Sequence, residues 1–139
     1  MQRPSTGLVA LSGFFALGAI IAGATSVALL FPGGPLQPMW RLNPPAYVAL
    51  QGMGAWAMVL MVAVAAGCAC SAWGLWIRAR WGHRLAVALP VVNLVGDATN
   101  ALMRRDLRTL IGLPIGVALI AYLLSAGVRS QFTTAKAAV

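Results

Sequence analysis

Carboxylates are almost missing from this chain. Of its 139 residues only two are acidic, against ten lysines and arginines and a single histidine. Charged residues make up 9% of the chain, where a soluble domain averages about 25%. With so few polar side chains, a water-facing surface could not be covered. A hydrophobic share of 60% and a mean hydropathy of +0.85 point the same way. The expected class is an all-α integral membrane protein.

The same scarcity removes several chemistries. Metal-dependent phosphotransfer within a membrane needs roughly three or four carboxylates to hold its ions. An intramembrane aspartyl protease needs two aspartates on facing helices, yet Asp106 falls in a turn. Leu94-Val95-Gly96-Asp97 also lacks the first glycine, three residues before the aspartate, that a Gly-x-Gly-Asp motif requires. His83 alone cannot assemble a zinc site or ligate a haem from both sides, and no serine stands near it in the pattern of a nucleophile. It reads as an interfacial residue. Cys68 and Cys70 would stand ~200° apart on a helix, so they can neither bridge each other nor chelate one metal. Without a Cys-x-x-Cys pair, vitamin-K-reductase-type thiol chemistry is also missing its nucleophiles. Met53, Met58 and Met61 are too dispersed for a copper site and read as packing residues. No metal, cofactor or catalytic activity is expected.

What remains is basic. The formal net charge of +8 and a pI near 11.5 would suggest nucleic-acid binding in a soluble protein. Here the basic residues stand at the ends of apolar segments, where lipid headgroups are met, and no run is long enough to follow a phosphate backbone. Membrane lipids are therefore the expected partners, with other membrane subunits or further copies of the chain, and nucleic acid is not.

Four apolar segments organise a single transmembrane domain: residues 8–31, 54–77, 85–103 and 109–128. The first runs for about 24 residues, longer than the apolar core of a signal peptide and with no A-x-A site after it, so it reads as a span. Between spans one and two, residues 32–53 hold a Pro-rich loop with five prolines in 32–45. Asn43-Pro44-Pro45 then offers a cap and first turn for a short interfacial helix over Ala46–Gly52. The loop reads as a packed connector rather than a lid. Trp40 and Arg41, Trp56, Trp73, Trp76 and Trp81 are expected as anchors at headgroup level. Three small-residue stripes predict close helix packing: Gly18, Ala22 and Ser26; Ala63, Gly67 and Ser71; Gly112 and Gly116. Pro90 predicts a kink in the third span and Pro114 a bend in the fourth. Residues 129–139 are expected to fray.

One polar stretch interrupts the oil: Asn93-Leu94-Val95-Gly96-Asp97-Ala98-Thr99-Asn100, followed by Arg104-Arg105-Asp106-Leu107-Arg108. Asn93, Asp97, Asn100 and Arg104 recur at steps of four, three and four, which places them on one helix face. Asp97 lies ~10 Å along the helix from Arg104, nearer the interface than the midplane. Two readings follow. In the first, Asn93, Asp97, Thr99 and Asn100 tie the third span to its neighbours, with Arg104 or Arg108 neutralising the aspartate. In the second, Asp97 is a proton- or cation-coupling group with Asn93 and Asn100 as neutral ligands.

With four spans the termini share a side, which carries six basic residues against four on the other. The positive-inside rule then puts both termini in the cytoplasm of a bacterial cell, with the chain in the inner membrane. The expected role is an accessory, scaffold or lipid-interacting subunit of a membrane assembly. The alternative is a small oligomeric transporter or channel.

Overall fold

The computed structural model describes residues 6–104 and 112–133. Among them every regular element is helical: α1 (Thr6–Leu30), a 3-10 turn (Gln37–Arg41), α2 (Pro44–Met53), α3 (Ala55–Trp76), α4 (Arg80–Arg104), α5 (Gly112–Leu124) and α6 (Ala126–Thr133). Two of these, α1 with 25 residues and α3 with 22, are long and apolar enough to cross a membrane. Helix α4 has the length but carries the polar ridge and arginines at both ends. The described part of α5 has 13 residues, about 20 Å of helix.

Each boundary has a local cause. Helix α1 stops before Pro32, which lacks the N–H that would continue the ladder. The Asn43 side chain accepts a hydrogen bond from the Ala46 N–H at 3.3 Å, and Pro44 fills the first helical position, so α2 starts as its sequence suggests. Gly54 joins α2 to α3 at φ 57 and ψ −133, a conformation essentially reserved for glycine.

The turn from α3 to α4 is a Schellman motif. The Ala79 N–H donates to the Gly74 carbonyl at 2.8 Å and the Arg78 N–H to the Leu75 carbonyl at 3.1 Å. Arg78 occupies the left-handed position at φ 56, where glycine is the usual choice.

The long helices pack in sequence, each antiparallel to its predecessor. Ser12 Oγ of α1 donates to the Ala72 carbonyl of α3 at 2.9 Å. Gly18 lies against Cys68, Gly67 against Leu89, and Gly116 against Leu94. Gly74 and Gly82 bring α3 and α4 together backbone to backbone, and a Cβ on either would collide with the other's Cα.

The apolar core gathers at one end. It combines Leu8, Leu11 and Phe15 from the start of α1, Leu75 from the end of α3 and Ala86 from the start of α4. Leu123 from the end of α5 joins them, with Val128 and Phe132 of α6. Gly7 meets the Tyr122 hydroxyl at this end, linking α1 to α5. Toward the other end the helices lose this shared core, and Val91, Val92 and Val95 of α4 are exposed.

The helix that carries the third apolar segment begins at Arg80, because the Schellman turn delivers the chain directly into a helix. The segment expected over 109–128 is interrupted at Ser125, after which α6 sets off as a separate element. The tail expected to fray from residue 129 is helical to Thr133, while 134–139 lie outside the described residues. An eight-residue helix is unstable alone, but Val128 and Phe132, one turn apart, bury about 1.5–3 kcal/mol each when taken from water. Pro90 is inside α4, whose helical run continues through it. Pro114 stands in the first described turn of α5, where proline is tolerated.

Candidate functional site

The polar ridge lies on the second half of α4. Asn93 Nδ2 donates to Asp97 Oδ2 at 3.2 Å, one turn along the same helix. Asn93 is exposed and Asp97 half-buried, with exposed Val92, Val95 and Gly96 around them. The ridge therefore opens outward beside the seam where Leu94 meets Gly116 of α5. Thr99 was expected to reach a neighbouring helix. Its hydroxyl instead donates to the Val95 carbonyl of its own helix at 2.7 Å, the usual outlet for a threonine in an apolar helix. The side chains of Asn100 and Arg104, with Asp106 and Arg108, lie outside the described residues. Chemically, the pair offers a carboxylate steadied by one amide, with its second oxygen able to accept from a cation or donor. Among the described residues no three histidine, cysteine or acidic side chains come together.

A second polar constellation stands at the core end. His83 Nε2 lies 2.8 Å from the Leu123 carbonyl; a carbonyl only accepts, so this nitrogen carries the proton. The imidazole also packs on the Phe132 ring, with centroids 4.8 Å apart. Arg80 Nε donates to the Phe132 carbonyl at 3.2 Å. The first turn of α4 thus supplies donors to the carbonyl-rich ends of both α5 and α6, where helices leave acceptors unpaired. The sequence alone suggests an interfacial residue at His83 and does not show these contacts with α5 and α6. Its spacing from Arg80 on one helix face was the available signal.

No family model, curated protein or solved structure matches this chain.

Of the expected anchors, Trp56, Trp73, Trp76 and Trp81 are exposed, as is Arg41. Trp40 is a correction. It turns inward, is 8% exposed, and packs on Tyr47 at 4.8 Å, so it stabilises the connector instead of facing headgroups. Gln37 braces the same corner, its side-chain oxygen accepting from Gly33 N–H and its Nε2 donating to the Tyr47 hydroxyl.

The small stripes divide by helix. On α1, Ala22 and Ser26 are buried and Gly18 touches Cys68 of α3. Ser26 Oγ donates to the Ala22 carbonyl at 2.9 Å, which disposes of its polarity within the helix. On α3, Ser71 is buried and Gly67 packs on Leu89, whereas Ala63 is exposed. Gly116 packs on Leu94, and the surroundings of Gly112 lie outside the described residues.

Proposed function

We propose that this chain is a multi-pass protein of a bacterial cytoplasmic membrane, serving without catalysis as an accessory, scaffold or lipid-interacting subunit of a membrane assembly. One observation carries the reading: the outward faces of α1, α3 and α5 are apolar, and on α4 apolar side chains are exposed around the polar ridge. Phe14 is 50% exposed, Ile20 67%, Val59 57%, Val92 70% and Ile115 62%. Water-soluble monomers rarely show contiguous apolar patches beyond a few hundred Å². Exposed Trp56 near one end of α3 and Trp73 and Trp76 near the other stand roughly 25–30 Å apart along the helix, which suits the hydrocarbon thickness. The test is expression of the full chain followed by alkaline carbonate washing, then mass measurement of the detergent-purified particle. The expected result is retention in the membrane pellet and a mass above one copy. Release by carbonate refutes the membrane reading, and a bare monomer without a copurifying chain refutes the scaffold role.

The transporter reading has its own support, since the Asn93–Asp97 pair points away from the core, where a neighbouring copy could complete a site. On that reading the Asp97→Asn variant stays folded and loses proton- or cation-dependent transport in liposomes. Unchanged transport refutes it.

A further inference from the structure

We propose that the ridge half of α4 is a self-pairing face, on which the Asn93–Asp97 pair of one protomer meets the same pair of a second copy across a two-fold axis. The proposal rests on the membrane reading above and gives the scaffold an interface and a first partner.

Misplaced polarity is the first argument. Asn93 stands ~20 Å along α4 from Arg80 and Asp97 ~10 Å from Arg104, so on the membrane reading both fall inside the hydrocarbon. Polar and ionisable side chains at such depth face other helices or a water-filled cavity, because lipid offers them no partner. Yet Asn93 is exposed and Asp97 half-buried, with exposed Val92, Val95 and Gly96 around them. An aspartate is too short to carry its charge back to the headgroups as an arginine does. Something other than lipid has to cover this face.

The chemistry of the pair selects the occupant. Its internal hydrogen bond uses one N–H of the Asn93 amide and Oδ2 of Asp97. The second amide N–H and the other carboxylate oxygen, Oδ1, have no partner among the described residues. A spare donor and a spare acceptor are thus held at one depth by the bond that joins them. A two-fold axis along the membrane normal brings an identical donor and acceptor to that same depth. Each Asn93 then donates to the partner's Asp97, and the amides stand between the two carboxylates and separate their like charges. A lysine or arginine from a foreign helix would answer the carboxylate but leave the amide N–H facing lipid.

Shape agrees. Val92, Asn93, Gly96 and Thr99 fall within an arc of about 120° on α4. Nothing lies within 4 Å of the place a Gly96 Cβ would take, so the backbone there is bare and a second helix can come close. Thr99 spends its hydroxyl on the Val95 carbonyl and keeps its methyl for packing. Leu94, on the opposite side of the helix, is already covered by Gly116 of α5.

The test uses native membranes holding the full chain with Cys68→Ser and Cys70→Ser. In that background Val92→Cys is expected to form an oxidative cross-link of twice the chain mass. Ile20→Cys, 67% exposed on α1, is the control and should not. The detergent-purified particle should weigh two copies by light scattering. Asn93→Leu and Asp97→Leu should each raise the dissociation constant of the dimer roughly tenfold. Asp97→Asn keeps an acceptor and most of the association, Thr99→Val leaves it unchanged, and circular dichroism verifies that each variant keeps its helices. A two-copy particle indifferent to Asn93→Leu and Asp97→Leu, or without the Val92→Cys cross-link, overturns this proposal alone. A different chain in place of the second copy overturns it and leaves the scaffold role standing. A bare single copy overturns both, and release of the chain by carbonate overturns the membrane reading as well.

Discussion

Replacing Gly82 by alanine puts a methyl group where α3 and α4 touch backbone to backbone. A Cβ there runs into the Gly74 Cα and carbonyl carbon and lies 3.0 Å from its oxygen. Carbon atoms normally rest about 3.5–4.0 Å apart, so the two helices have to separate by about 1 Å. Overpacking of this kind costs about 1–3 kcal/mol. The separation also draws α4 away from α5 and α6, loosening the His83–Leu123 and Arg80–Phe132 hydrogen bonds, each worth about 1 kcal/mol. Against this stands the better helix propensity of alanine, at most about 1 kcal/mol and less in a first turn. The net expectation is a loss of about 2–4 kcal/mol. Gly96→Ala is the internal control: the same substitution in the same helix, with nothing within 4 Å of the new methyl. It should gain about 0.5–1 kcal/mol. Thermal unfolding in mild detergent, in a Cys70→Ser background and followed with a thiol-reactive dye that reports release of the half-buried Cys68, compares the two. Shifts of opposite sign are expected. If Gly82→Ala stabilises as Gly96→Ala does, the backbone contact is wrong.

Three further outcomes can be measured on the same particle. His83→Ala leaves the Leu123 carbonyl without its side-chain donor and should cost about 1–3 kcal/mol, with His83→Gln recovering part of the loss in the same melt. Phe132→Ala empties a site that is 4% exposed; a loss of about 3–5 kcal/mol and faster proteolysis after residue 125 are expected, and unchanged digestion would argue against the docking of α6. Cys70 is exposed on α3 between Trp56 and Trp73, so in intact membranes it should react with lipid-soluble maleimide and resist a charged, impermeant one. Equal labelling by both reagents would place that face in water.

The sequence makes the apolar helices easy to find and their company hard to find. Helices α1 and α3 are legible because long runs of Leu, Val, Ala and Ile are bounded by Pro32, Gly54 and Arg78. Asn43-Pro44-Pro45 announces α2 through capping chemistry that is local by nature. The Asn93–Asp97 hydrogen bond also follows from spacing alone, since residues one helical turn apart are neighbours. Helix α6 is obscured because two apolar residues, Val128 and Phe132, are too few to show a period, and the elements that stabilise it come from residues 80 and 83. Trp40 misleads for a similar reason: tryptophan beside arginine after an apolar run suggests an interface, while the Tyr47 ring that draws it inward is placed by the fold of the connector. The Gly74–Gly82 contact falls outside the four-residue stripes, being created by a turn that sets two glycines face to face.

The pairing of α1 with α3 has a consequence for how the chain is made. Ser12 finds its acceptor at Ala72, sixty residues later, and Gly18 finds Cys68. At translation rates of about 5–20 residues per second, the first helix exists for roughly 3–12 seconds before its partner is synthesised. During that interval the Ser12 hydroxyl has only its own helix to bond to, and the small face later covered by α3 is open to whatever lies beside the exit site. A nascent chain halted between the two helices should therefore be caught by insertion factors or lipids on the face carrying Ser12, Ala22 and Ser26, and released from them once Ala72 has emerged.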